Sequence, residues 1–324
     1  MYCECNSFSI FYPDSFSLNK SNFSDRMYIM QEPTPLATVF TLTKNEYDLI
    51  NQFVTYHAYL FGYKNVVVID NGSTHKDVLD LYDTFKSKGV TIITTDGYSG
   101  DLQGNHFTNT MLGYKDKSTF LIPLDTDLFF TVKQSCNKDT IISFLENLPT
   151  GYDMFIMNMF YMSVVDPTCS NYKNNKLTVP TDCTTFVKRR GYGGCPYVQH
   201  TFYRSSNFVW TSNGNHVGGT TTNKSYKTED VAYIHFHLTG ISRNVERCIA
   251  ILEAYGYIDT KKQSLQEQLK ILEGMSGNGG HRIVQYTEHI KKILSGKDAF
   301  VEEPIPSDVF IFEDLKNVLM TLSA

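Results

Sequence analysis

The chain has 324 residues, enough for two modest domains or one large α/β domain with appendages. Its 29 Lys and Arg against 34 Asp and Glu leave a net charge of −5, which excludes the basic footprint that general nucleic-acid binding requires. With 41% apolar and 19% charged residues the composition is that of a folded protein rather than a disordered one.

Residues 1–35 are rich in Ser, Asn, Phe and Tyr without a sustained period, and they end in Glu32-Pro33-Thr34-Pro35, which disfavours helix before each proline. They read as an N-terminal extension. From residue 36 apolar strands and amphipathic helices alternate. Strands are expected at 36–42, 65–70, 90–95 and 119–124, with helices at 45–60, 76–88 and 106–115 between them. Three such crossovers in so short a span predict an α/β fold with a mostly parallel central sheet and flanking helices. A helix at 138–147 and a strand at 154–161 follow. Residues 167–196 lack periodicity and read as a long loop or insertion. Beyond it, 198–203 and 208–211 read as a short hairpin and 232–237 as a strand. The rest is helical, at 245–255, 265–273 and 283–294, with a Gly/Asn/Ser hinge at 274–280. The domain reading is therefore 1–35, 36–255 and a C-terminal helical region at 256–324.

No stretch approaches the roughly 18 apolar residues of a membrane span, and no basic region precedes an apolar run near the start. The seven cysteines contain no CxxC pair. The expectation is a cytoplasmic protein with no transmembrane segment.

In open parallel sheets ligands sit beyond the carboxyl ends of the strands. Three predicted ends are polar: Thr41, Thr43, Asn45 and Glu46 after the first strand, Asp70, Asn71, Gly72 and Ser73 after the second, and Asp125-Thr126-Asp127 after the fourth. For the first two sets, capping of the following helices is an equally available use of the same residue types. The third differs, because two carboxylates at i, i+2 sit between the apolar runs Phe120–Leu124 and Leu128–Phe130, where unpaired charge is costly. A divalent cation bridging to a diphosphate would neutralise them. Gln103, Asn105 and His106, after the third strand, are further candidates for reaching a bound nucleotide, with Asn105 equally readable as a cap. His235 and His237 alternate along one strand and share a face. They read either as core histidines or as imidazole ligands completing a Mn²⁺ site, His237 first and His235 second. His57, in mid-helix, reads as structural.

The ordered set Thr41-Leu42-Thr43-Lys44-Asn45-Glu46, Tyr56-His57, Ile69-Asp70-Asn71-Gly72-Ser73, Asp125-Thr126-Asp127, Gly214-Asn215-His216 and His235-Phe236-His237 resembles the family-2-type glycosyltransferases of the GT-A fold, over residues 36–247. The likeness is strongest to the branch with a KNE start, a YH pair and a late His-aromatic-His strand. What the resemblance implies is a GT-A (Rossmann-like) sheet and an inverting transferase dependent on Mn²⁺ or Mg²⁺. The donor would be a nucleotide-diphosphate sugar, and the acceptor a glycan or other hydroxyl. By that likeness Asp70 and residues 41–46 hold the nucleoside, and Asp125 and Asp127 hold metal and diphosphate. The sequence departs from the pattern at Leu128, where relatives carry an acidic residue, and at Leu238-Thr239-Gly240, which precede Ser242-Arg243.

In such enzymes the base lies in a Gly-rich acidic loop upstream of the metal histidine, and the matching stretch here, 213–219, has no carboxylate. His216 is therefore placed first as base, its ordinary pKa of about 6.5 suiting proton removal near neutrality, and Asp230 second. Two other functions are weighed. A sugar-nucleotide nucleotidyltransferase would need a Gly-rich basic loop after the first strand, and residues 41–46 contain no glycine. In a catalytically degenerate glycan-binding protein the two carboxylates would be only a solvated turn.

Overall fold

The computed structural model describes residues 33–46, 49–95, 102–133, 135–164, 185–190, 199–235, 241–254 and 256–272, with isolated positions between 286 and 322. All that follows concerns the unit Thr34–Ala324. The strands are β1 (Ala37–Thr43), β2 (Val66–Asp70), β3 (Thr91–Thr94), β4 (Phe120–Pro123), β5 (Leu128–Val132), β6 (Met154–Val164), β7 (Thr185–Arg190), β8 (His200–Arg204), β9 (Phe208–Thr211), β10 (Gly218–Thr220) and β11 (Ser225–His235). The helices are α1 (Ile50–Phe61), α2 (Lys76–Ser87), α3 (Gln103–Leu112), α4 (Lys138–Glu146), α5 (Ile241–Ala254) and α6 (Leu265–Leu272).

Among the described residues nine strands form one sheet in the order β3-β2-β1-β4-β8-β6-β11-β5, with β7 paired on β6; β9 and β10 form a separate two-stranded ribbon. β3, β2, β1 and β4 are mutually parallel. β6 and β11 point the same way, and β5, β7 and β8 oppose them. The class is thus α/β with a mostly parallel central sheet, as the alternation predicts.

β2 and β4 are buried at every position, which is why they read as unbroken apolar runs rather than alternating ones. Their pleat still sorts side chains between two layers. Val39, Val66, Val68, Phe120 and Ile122 pack with Phe53 of α1, Val78 of α2 and Ile141 of α4; Phe40, Val67, Ile69 and Leu121 pack with Phe107 and Met111 of α3 on the other face. Burying these rings and branched chains, at roughly 1.5–3 kcal/mol each, is the main force holding helices on both faces. α5 and α6 make their own small cluster around Leu252, Leu269 and Ile290.

Several expectations are corrected. Residues 198–203 and 208–211 do not form a hairpin with each other: β8 enters the main sheet between β4 and β6, whereas β9 pairs with β10. In the main sheet β8 gains two flanking strands, which a two-stranded hairpin could not give it. Part of 167–196 is strand, since β7 pairs antiparallel with β6 from Met159↔Arg190 to Val164↔Thr185. The first helix starts at Ile50 rather than residue 45, because Asn45 adopts φ 53 and turns the chain. β5 and β10 were not anticipated. Residues 1–32 and the hinge at 274–280 lie outside the described residues, as do most of 283–294.

Candidate functional site

The carboxyl ends of β1 and β2 lie level, Thr43 opposite Asp70. Asp70 is buried, and its carboxylate accepts the Ser73 N–H at 3.1 and 3.2 Å and the Tyr82 hydroxyl at 3.1 Å. Burial first, and then the charge of Asp70, hold the Tyr82 pKa above its ordinary value, so this phenol stays a donor. Asn45 braces the same turn: its N–H donates to Ser73 Oγ at 2.8 Å, and its Oδ1 accepts from Thr74 N–H at 2.8 Å and His75 N–H at 2.9 Å. Glu46 Oε1 accepts the Leu49 N–H at 3.2 Å, just ahead of α1. Asp70, Asn45, Glu46 and Ser73 therefore brace the loops at the two helix starts. Two neighbours differ. Thr43 Oγ1 and Asn71 Oδ1 are buried and have no hydrogen-bond partner among the described residues, a state that calls for a ligand or water.

β4 ends at Pro123, and the turn after it, closed by Leu128 N–H donating to the Asp125 carbonyl at 2.9 Å, carries Asp125, Thr126 and Asp127. Thr126 is pinned to β1, its hydroxyl 3.0 Å from that of Thr41. Antiparallel pairing of β5 with β11 then sets His235 opposite Leu128, beside the turn. As a result His235 Nε2 lies 3.2 Å from Asp127 Oδ2, with Asp127 only 5% exposed. His237 lies outside the described residues. Among the described residues no three His, Cys, Asp or Glu side chains already converge as a metal cluster. Asp127 and His235 are the converged pair, and Asp125, two residues away, is partly exposed.

Beside the turn stands Gln103, whose Nε2 donates to Asp125 Oδ1 at 2.9 Å while its Oε1 accepts the Gly214 N–H at 2.9 Å. Gly214 belongs to the connection between β9 and β10, which also carries His216. His216 Nδ1 lies 2.9 Å from the Gln199 carbonyl. A carbonyl only accepts, so Nδ1 carries the proton in the neutral ring and Nε2 keeps the basic lone pair. Gly214 has φ 70, and a Cβ there would run into the His216 ring, so glycine is what admits the imidazole.

Sequence reasoning missed the group that joins these parts. His200, 5% exposed, stacks edge to face on His216 with ring centres 5.1 Å apart and on Tyr233 at 4.6 Å. Burial, and then the proximity of His216 and His235, hold its pKa well below the ordinary value, and its buried Nδ1 has no hydrogen-bond partner among the described residues. Nothing in the short strand it opens marks it out. His57 is structural: Nδ1 donates to the Phe53 carbonyl at 2.8 Å, Nε2 faces the Phe130 N–H at 3.4 Å, and burial lowers its pKa to about 3.

Asp230 is not brought to the site. It precedes His235 by five residues on β11, roughly 15 Å of strand. It borders a groove of about 620 Å³ with Lys133, Asp139, Thr140 and Tyr226 at the other end of β5. Its carbonyl accepts the Lys133 N–H at 2.6 Å.

No family model matches the chain, and neither does any curated protein. Solved structures do resemble it. S. aureus TarS 1-349 in complex with UDP-GlcNAc is similar at 11% identity and TM-score 0.38, over 89% of this chain and 91% of that one. GalNAc-T7 with UDP, GalNAc and Mn²⁺ is similar at 11% identity and TM-score 0.38, over 82% of this chain and 57% of that one. Glucosyl-3-phosphoglycerate synthase from Mycobacterium tuberculosis, in complex with Mn²⁺, UDP-glucose and phosphoglyceric acid, is similar at 10% identity and TM-score 0.34, over 70% of this chain and 82% of that one. No helix among the described residues is long and apolar enough to cross a membrane.

Proposed function

We propose that the protein is a GT-A-type, inverting glycosyltransferase that moves a sugar from a nucleotide-diphosphate donor to a hydroxyl of a glycan or other acceptor, with a divalent metal ion. The observation that carries this reading is the buried Asp127 carboxylate facing His235 Nε2 at 3.2 Å, directly beyond the fourth parallel strand. A buried carboxylate beside an imidazole asks for a cation, and oxygen with imidazole nitrogen is a donor set that suits Mn²⁺. Asp127 and His235 would hold the ion, with Asp125 and His237 as further donors. When bound, such an ion neutralises charge on the departing diphosphate.

The chain's own groups supply the rest. The nucleoside lies over the ends of β1 and β2, where Thr43 Oγ1 and Asn71 Oδ1 are buried without partners and Asp70 keeps the turn in shape. His216 Nε2 takes the proton of the acceptor hydroxyl while Nδ1–H stays on the Gln199 carbonyl. The acceptor oxygen then bonds to the anomeric carbon as the bond to the diphosphate oxygen breaks, on the opposite face. Asp230, remote from these groups, has no part in the step.

The test is incubation with a panel of nucleotide sugars and nucleoside diphosphates, with Mn²⁺ and with EDTA. The reading expects metal-dependent thermal stabilisation by one nucleoside diphosphate and its release from the matching sugar donor. Release of pyrophosphate from a sugar phosphate and a nucleoside triphosphate would instead identify a nucleotidyltransferase. Absence of any nucleotide effect would leave a binding protein.

A further inference from the structure

α3 and the loop that carries His216 are fastened together at three levels. Gln103 Oε1 accepts the Gly214 N–H at 2.9 Å, Gly104 N–H donates to Asn213 Oδ1 at 2.7 Å, and Thr211 N–H donates to Thr108 Oγ1 at 3.0 Å. A Cβ at Gly104 would lie 2.7 to 2.8 Å from backbone atoms of residues 211–213, so helix and loop touch main chain to main chain without slack. From this block Gln103 reaches the carboxylates, its Nε2 donating to Asp125 Oδ1 at 2.9 Å. The orientation of the amide is set by chemistry: a peptide N–H can only donate, so Oε1 faces Gly214 and the NH₂ faces Asp125.

We propose that Gln103 is a positioning residue that couples the state of Asp125 to the placement of His216. The inference rests on the transferase reading for its purpose, because it makes the base take its place when the donor's diphosphate is bound. Asp125 Oδ1 shares its lone pairs between Gln103 and whatever cation arrives with the diphosphate. A shift of that oxygen pulls on an amide whose other end holds Gly214, two residues before His216. On this reading Gln103 acts through its neighbours: one end of its amide is held by Asp125 and the other by Gly214.

Two measurements test this. In the ligand-free protein, Asp125→Ala should speed hydrogen exchange at the Gly214 amide, although Asp125 does not touch Gly214, and Mg²⁺ with inorganic pyrophosphate should shift the Gly214 and His216 resonances of the wild type. Gln103→Glu keeps the acceptor for Gly214 but cannot donate to Asp125, so it should abolish that shift while pyrophosphate still binds. With sugar donor at saturation, Gln103→Glu should slow single-turnover transfer by about 10- to 100-fold with the donor dissociation constant unchanged. An unaltered Gly214 exchange rate in Asp125→Ala, or a full-sized shift in Gln103→Glu, overturns the coupling. So does a weakened donor affinity with the saturated rate unchanged, since Gln103 would then be a donor contact. A wild type without transfer activity would sink the transferase reading alone, because the exchange measurements decide the coupling without it.

Discussion

His235 and Asp127 meet because β11 runs antiparallel to β5, and β5 begins one residue after Asp127. Neither residue type decides function alone; a solvated Asp–His pair is worth about 1 kcal/mol or less. Their value lies in burial and in the second carboxylate two residues away. Asp127→Asn and His235→Ala should each raise the Mn²⁺ concentration for half-maximal transfer by about 10- to 100-fold, and Asp127→Asn should leave the urea midpoint near that of the wild type. A loss of stability with an unchanged metal requirement would return His235 to the core. The base is tested through its neighbour as well as directly. Gly214→Ala meets a φ of 70 and the His216 ring at once, so it should cost about 1–2 kcal/mol and displace the imidazole. His216→Ala should lower the single-turnover rate by roughly 10²- to 10⁴-fold. The double variant should be little slower than His216→Ala alone, since both remove the same group. Additive losses would show that Gly214 serves something other than His216.

At the level of elements, the ends of β1 and β2 separate bracing from binding. Asp70→Ala strands the Ser73 N–H and the Tyr82 hydroxyl, and should destabilise the protein by about 1–3 kcal/mol. Thr43→Val should do the reverse. It removes a buried hydroxyl that has no partner, so stability should hold or rise by up to about 1 kcal/mol, while affinity for the nucleoside diphosphate falls. A Thr43→Val protein that is destabilised and binds normally would remove Thr43 from the pocket. The same ends show what was legible in the sequence. The α/β alternation, Asp125-Thr126-Asp127 and a late histidine strand were readable, because local periodicity and turn chemistry encode them. That Asn45 braces the turn ahead of α2, rather than capping the helix after it or touching a ligand, was not, since Thr74 and His75 lie some thirty positions away and only folding brings their N–H groups to it. β8 escaped for the same reason: its partners β4 and β6 are remote in sequence, and proximity to β9 proved a poor guide. His200 carried no local signal, and Asp230 carried a misleading one, because adjacency to His235 along a strand means distance in space.

Across the whole molecule, the sheet buries imidazoles that must stay neutral, and this gives its stability a pH dependence of known sign. His57 is fully buried, with its pKa lowered to about 3, and burial lowers that of His200 as well. The unfolded chain therefore binds protons that the folded chain refuses once the pH falls below about 6.5. Stability is complete above that value, declines as the pH drops, and for His57 levels off near its folded pKa. His57 alone should cost about 1 kcal/mol between pH 7.5 and 5.5 and roughly 3 kcal/mol by pH 4.5, with His200 steepening the decline. Urea midpoints of the wild type should fall accordingly. In His57→Gln the amide oxygen can still accept from the Phe130 N–H, so the variant should start lower, having lost good packing against Phe53 and Phe129, yet decline less steeply with acid. Parallel curves for the two proteins from pH 7.5 to 4.5 would mean that His57 is not held neutral, and the acid sensitivity would then belong to the carboxylates or to His200.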